Sequence, residues 1–237
     1  MNSLAFEGPE GTRPCQGAFY KDIRLVFDMT LDGTGAIKDF QTFPYPYAVV
    51  LTQECDLAQH AGVTAFLSSA RADDAEKQKD EKRIRDKRDK LLPSVLLCPA
   101  YPAYQFRKGI HIATILSPDE VDGNRGIEDY YVSHIISDDF KKVQNNDVPR
   151  YHYLSAAREE YQVPETVVDF KHYFTLPTET LIRSYSSEMH YIARLRPLYR
   201  EHVSQRFAAF LSRIGLEITH RRIQNPPTTG GQCTVGE

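Results

Sequence analysis

A mainly β fold of the α+β kind is predicted for this chain by three observations. Its middle is a series of short runs rich in β-branched and aromatic residues, separated by Pro, Gly and Asn-Asp breaks. Helical periodicity is confined to one late segment. A length of 237 residues, 41% hydrophobic and 26% charged, supplies apolar content for one ordinary globular core.

Residues 1–15 are rich in Gly, Pro and small side chains without periodicity and read as a flexible N-terminal arm, with order expected from Gln16. From Phe19, FYKDIRLVFDM alternates apolar and polar residues as a half-buried strand does. Asp32-Gly33 and Gly35 supply the turn that follows. YAVVLTQ, Tyr47 to Gln53, is apolar at its centre, the pattern of a strand covered on both faces, and is expected to be the core strand. Residues 71–90 hold nine Lys/Arg and seven Asp/Glu with almost no large apolar side chain. They read as a charged helical insertion at 70–92, supported by pairs such as Glu81/Arg85 and exposed to solvent. A nucleic-acid contact there would have to overcome the repulsion of the interleaved carboxylates.

SVLLCPAYP, bounded by Pro93 and Pro102, is a further strand, and HIATIL and YYVSHII offer two more, although HIATIL also suits a short helix. Asn145-Asn146-Asp147 breaks the chain before the short strand Arg150 to Leu154, and ETVVDFKHYFTLP reads as one strand closing at Pro177. Leu195, Leu198, Tyr199, Val203, Phe207, Phe210, Leu211 and Ile214 recur at three- and four-residue intervals, so an amphipathic helix is expected over about 195–214, with Pro197 in its first turn and Gly215 as its C-cap. The tail 219–237 lacks apolar pattern and reads as disordered. Residues 16–218 are thus expected to form a single domain.

A formal charge of −3 and a pI near 6.3 exclude a surface coated in positive potential, so any nucleic-acid binding must be local. The cysteines Cys15, Cys55, Cys98 and Cys233 form no CxxC, which argues against a disulfide scaffold or zinc ribbon. No run of about 18 apolar residues and no leader-like start occur, so a cytoplasmic protein without a membrane partner is expected. Nothing in the sequence calls for a cofactor or a resident metal.

Two clusters carry candidate chemistry. Thr52-Gln53-Glu54-Cys55-Asp56-Leu57 places polar groups and a thiol directly after the core strand. Cys55 could be a nucleophile activated by His60, a metal ligand together with Asp56, His60 and Cys98, or a packed thiol beside an Asp56 that holds the turn. Arg150-Tyr151-His152-Tyr153 and Lys171-His172-Tyr173-Phe174 interleave cations with rings, a composition suited to single-stranded nucleic acid. Strand alternation, however, puts Tyr151 and Tyr153 on one face and Arg150 and His152 on the other. His111 and His134 read as ordinary strand histidines.

Lys21-Asp22-Ile23, Ala48-Val49-Val50-Leu51-Thr52, Leu96-Leu97-Cys98-Pro99 and Asp169-Phe170-Lys171 through Leu176-Pro177 occur in an order that resembles the PemK/MazF-like toxin family. The resemblance implies an SH3-like small barrel closed by a C-terminal helix, with the segments around Val50, Leu97 and Val168 side by side. It also implies an endoribonuclease acting on single-stranded RNA, a bacterial toxin–antitoxin or phage-defence setting, and a homodimer. The family's Arg before the second strand and Ser or Thr after the third are replaced here by Pro46-Tyr47 and Ala100-Tyr101-Pro102. The expectation is therefore a degenerate toxin-like module binding RNA or a protein partner, with Arg107, Lys108, Arg150, Tyr151 and Tyr153 as binding residues. The alternatives are an active metal-independent endoribonuclease using His152, Lys171 and His172 with Arg150, and a metal- or thiol-dependent site at Cys55.

Overall fold

The computed structural model describes residues 5–9, 11, 13–69, 86–109, 111, 137–156, 161, 163–187 and 189–213. Among the described residues eight strands form one antiparallel sheet: β1 (Phe6–Glu7), β2 (Ala18–Leu31), β3 (Ile37–Val50), β4 (Ser94–Pro102), β5 (Tyr151–Leu154), β6 (Thr166–Asp169), β7 (Phe174–Pro177) and β8 (Tyr191–Leu195). They are ordered β1-β8-β2-β3-β4-β6-β5, and β7 shares the edge of β4 with β6. The helices are α1 (Glu54–Ser69), α2 (Ala103–Arg107), α3 (Ser137–Gln144), α4 (Thr178–Tyr185) and α5 (Pro197–Ser212). No helix among the described residues is long and apolar enough to cross a membrane.

The mainly β, α+β expectation matches this architecture. β4 is its hub: Val50 lies opposite Leu97, and Ala100 opposite Val168, so the three segments expected to be neighbours are neighbours. The sheet curls without the pairing of its end strands β1 and β5. One source of the bend is Asp22, whose φ of 57° is in the left-handed region, opposite the proline-bearing stretch of β3. Tyr20 and Ile23, three residues apart, consequently face the same core, as do Tyr45 and Ala48.

That core, on one side of the sheet, gathers Tyr20, Ile23, Tyr45, Val50, Val95, Leu97, Tyr101 and Val167 under Leu57 of α1, Phe106 of α2, Val143 of α3 and Leu181 of α4. The other side gathers Phe19, Val49, Cys98, Leu154, Val168 and Phe170 under Val203 and Phe207 of α5. Burial on both sides explains the nearly unbroken apolar runs of β3 and β4.

Several elements differ from the sequence reading. Ala5, Phe6 and Cys15, within the expected flexible arm, are buried, and Phe6–Glu7 pairs with Leu195 and Arg194 of β8. Phe6 sets its ring edge-on to Phe19 at 5.4 Å, so apolar contact outweighs the loop-like composition around it. Glu54 adds a tie: its carboxylate accepts from Arg13 and from the Gln16 backbone N–H, and it also opens α1, a helix the polar run after β3 concealed. Leu195, expected in the last helix, ends β8 instead, and Pro197 begins α5. ETVVDFKHYFTLP is two strands separated by a 3-10 turn at Phe170–His172. Of the charged insertion, 70–85 lies outside the described residues, and Arg88–Lys90 forms a single 3-10 turn. HIATIL beyond His111, YYVSHII, His134, Ile214, Gly215 and the tail 219–237 also lie outside them.

If Phe6 is core, Phe6→Ala should cost about 3 kcal/mol of unfolding free energy in urea denaturation, as large-to-small core changes do. A loss under about 0.5 kcal/mol, usual for an exposed arm, would contradict its placement.

Candidate functional site

A dense polar cluster forms where β6 ends. Thr166–Asp169 is buried along its whole length, so the Asp169 side chain enters the core side of the sheet directly opposite Tyr151. Its carboxylate then caps the 3-10 turn by accepting from the Lys171 backbone N–H at 3.0 Å. That turn swings His172 back until its Nδ1 stands 2.8 Å from Asp169 Oδ2. Arg150, just ahead of β5, closes the cluster with a bidentate grip, Nε on Oδ1 at 2.9 Å and a terminal nitrogen on Oδ2 at 2.7 Å.

Four donors thus converge on one carboxylate, which fills its acceptor capacity. Burial pushes the Asp169 carboxyl up, but the hydrogen bonds from Arg150 and His172 and the charge of Arg150 outweigh it and hold the group well below the usual carboxylate range. Because an ionised carboxylate only accepts, His172 presents N–H at Nδ1, and Nε2 is left for other partners. Asp169 is fully buried, whereas the side chains of Arg150 and His172 are 28% and 23% exposed. The cluster therefore has a charged root and a cation–imidazole edge at the surface.

Rings wall the root. The Arg150 guanidinium lies 4.8 Å from the Tyr151 ring centre, Tyr151 meets Phe106 edge-on at 4.8 Å, and Phe106 stacks on His111 at 4.1 Å. Tyr101 borders His111 at 5.7 Å and Tyr45 at 6.3 Å, and its buried hydroxyl makes no hydrogen bond among the described residues. Burial pulls His111 down to about 4. Arg107 extends the cationic surface by lying 5.3 Å over Phe140 of α3, where Lys141 is exposed, as are Lys108 and Lys171.

The structure unites some expected site residues and separates others. Arg150, Lys171 and His172 share the Asp169 cluster. His152 does not join them, because alternation along β5 sends it to the α5 side, where it is 1% exposed between Phe170 and His202. Burial first, then His202 and Arg206, pull its pKa down to about 3. Tyr151 is buried, so its ring is not open for base stacking, and Tyr153 packs partly buried against the same core. The convergence of His152 with Lys171 and His172, and stacking on Tyr151, are corrected accordingly.

The Cys55 readings part in the same way. Cys55 is exposed in the first turn of α1, at a groove of about 800 Å³ between α1 and α5, with its thiol 3.6 Å from Gln53 Oε1 and Asp56 Oδ1. His60 lies on another face of α1, lining a separate small cavity with Leu57 and Thr178, and its Nδ1 accepts from the Leu92 backbone N–H. Cys98 is buried within β4, where burial and then Asp169 raise its thiol pKa. Thus Cys55, His60 and Cys98 do not meet. Among the described residues no three His, Cys, Asp or Glu side chains gather as a metal set.

Asp169 itself was absent from the expected site. Its signal was a lone carboxylate at the end of the apolar TVV run and followed by Lys171 and His172, a position where a charge must be buried with partners. No family model matches the chain, and neither the curated proteins nor the solved structures contain a significant match.

His152 makes acid stability testable. Its unfolded pKa is about 6.5 and its folded value about 3, so unfolding takes up a proton between them. The stability associated with its neutral form is complete above pH 6.5 and lost as pH falls toward 3, by up to about 5 kcal/mol. Urea denaturation from pH 7 to 4 should give a steeper loss for the parent than for His152→Gln; parallel curves would contradict the buried neutral imidazole.

Proposed function

We propose that the protein is a single-stranded RNA-binding module of the SH3-like, PemK/MazF barrel type. RNA phosphates meet the edge formed by Arg150 and His172. The observation that carries this reading is the shared Asp169 carboxylate, which fixes a guanidinium and an imidazole side by side with their outer atoms at the surface. Donors ordered in advance bind an anion at lower entropic cost than free side chains do. Lys171, Arg107, Lys108 and Lys141 add sequence-independent attraction, and Tyr173, 45% exposed beside His172, offers a ring to an unstacked base.

The barrel type is supported by the order of elements: the β2–β3 hairpin, β4 against β3, β6 on β4, and a closing helix. The absent family Arg and Ser or Thr favour binding over that family's own cleavage chemistry. A cytoplasmic toxin–antitoxin or phage-defence setting rests on the likeness alone.

The Nδ1 bond of His172 favours a second reading, metal-independent cleavage. His172 Nε2 would take the 2′-hydroxyl proton as that oxygen attacks phosphorus, with Arg150 donating to the phosphoryl oxygens. The 5′-oxygen would leave with a proton from the Lys171 ammonium or from water, giving a 2′,3′-cyclic phosphate and a 5′-hydroxyl.

Fluorescence anisotropy with a labelled single-stranded RNA tests the binding reading. Raising salt from 50 to 200 mM should weaken binding about tenfold or more for three phosphate contacts. Lys171→Glu with Arg107→Glu should weaken it by at least another factor of ten, whereas unchanged affinity, or no binding by the parent, would overturn the proposal. The same RNA incubated in EDTA separates the readings: cleavage lost in His172→Ala establishes the second, and intact RNA leaves binding alone.

A further inference from the structure

The open groove of about 800 Å³ between the first turn of α1 and the α5 helix lies apart from the Asp169 cluster. Its floor is apolar, formed by Leu51, Leu96 and Phe207, with Leu211 near the end of α5. The backbone of that floor is already paired: the Leu51 N–H donates to the Leu96 carbonyl at 2.9 Å, and the Leu96 N–H to Thr52 Oγ1 at 2.7 Å. A volume of this size is within the range of small-molecule sites, about 300–1,000 Å³, and apolar walls with a few placed polar groups are their usual lining.

The polar groups around this floor are mostly acceptors. The first turn of α1 brings Glu54 and Asp56, and α5 brings Arg200 and Glu201. Glu54 is held by Arg13 and the Gln16 backbone N–H, and Arg200 lies on Glu201 at 3.2 Å. Asp56 has no such partner: among the described residues its carboxylate meets only the Cys55 thiol, a weak donor, at 3.6 Å. Gln16 gives an independent observation, since it lines the groove and is 8% exposed. The Ser204 hydroxyl gives its proton to the Arg200 carbonyl at 3.0 Å, so Gln16 must face it with nitrogen, Nε2 donating at 2.9 Å. Gln16 Oε1 then accepts from no group among the described residues. A buried amide oxygen without a donor is costly, so the groove holds acceptors that a bound donor would satisfy.

We propose that this groove binds an organic amine, its apolar body on the floor of Leu51, Leu96 and Phe207 and its protonated nitrogen donating to the surrounding acceptors, Asp56 first. An ammonium carries three donors and no acceptor, the complement of what the groove presents. A neutral apolar molecule would leave Asp56 and Gln16 Oε1 without donors. An anion, RNA phosphate included, would face three carboxylates against the single cation Arg200. The attraction that a helix N-terminus has for anions is met in α1 by its own Glu54 and Asp56. None of the lining residues belongs to the Asp169 cluster, so the inference does not rest on the RNA reading.

Calorimetric titration of the full chain at pH 7 with 4-phenylbutylamine, 4-phenylbutanol and 4-phenylbutyrate, which share one body and differ in charge, tests the proposal. The amine should bind with a Kd of about 1 mM or tighter, in keeping with its size, the alcohol at least about fivefold more weakly, and the acid without saturation. Asp56→Asn should weaken the amine at least about fivefold and leave the alcohol unchanged. Ala208→Trp, at an exposed lining position where the ring fills the groove without entering the core, should abolish both. Cys55 lines the groove and reports its occupancy: saturating amine should slow alkylation of its thiol by iodoacetamide, followed by the mass of the Cys55 peptide, about threefold or more. No binding of the amine at about 10 mM, equal affinity for the three probes, affinity indifferent to either variant, or a Cys55 that the amine does not protect would overturn the proposal.

Discussion

A carboxylate placed in the interior of a protein must be surrounded by donors, and that requirement at Asp169 organises this end of the molecule. The donors come from three positions in the chain: the residue that precedes β5, a backbone amide two residues on, and an imidazole three residues on. Each needs a different structural condition. Arg150 reaches the carboxylate because β5 and β6 pair with Tyr151 opposite Asp169. Lys171 and His172 reach it because the chain turns at once after β6, and the carboxylate itself caps that turn. The charge and the local fold are mutually dependent.

The same requirement gives the edge its character. A guanidinium and an imidazole held by one buried anion have few alternative rotamers, so their outer atoms form a fixed pair. The neighbouring cations Lys171, Arg107 and Lys108 are exposed, and Arg107 lies over the Phe140 ring. Long-range attraction and local geometry therefore reside in different residues. His152 illustrates the reverse case: one position along from Tyr151, it is buried among rings and close to Arg206, with burial favouring its neutral form.

Much of the sheet was legible because its signals are local. Proline marks both ends of β4, the Asp32–Gly35 turn marks the β2–β3 hairpin, and unbroken apolar runs mark the strands covered on both sides. Phe6 was hidden because its pairing with β8 is made almost 190 residues away in sequence. The α1 helix was hidden because its buried positions, including Leu57, His60 and Val63, alternate with Glu54, Cys55, Asp56 and Gln59 in a weak stripe. The break within ETVVDFKHYFTLP depends on a side chain capturing a backbone amide, which strand propensity does not register. Arg150, Lys171 and His172 were legible as residue types, whereas their common partner was fixed by strand register, a property of the assembled sheet.

The most direct measurement of the central claim is a double-mutant cycle on Arg150 and Asp169, with Arg150→Met, Asp169→Asn and the double variant compared by urea denaturation at pH 7. A buried, bidentate pair should make each single change costly, about 3 kcal/mol for Asp169→Asn, and give a coupling of about 2 kcal/mol. Additive losses, with coupling below about 0.5 kcal/mol, would mean that Asp169 does not hold Arg150 in solution and would contradict the account of the edge built on it.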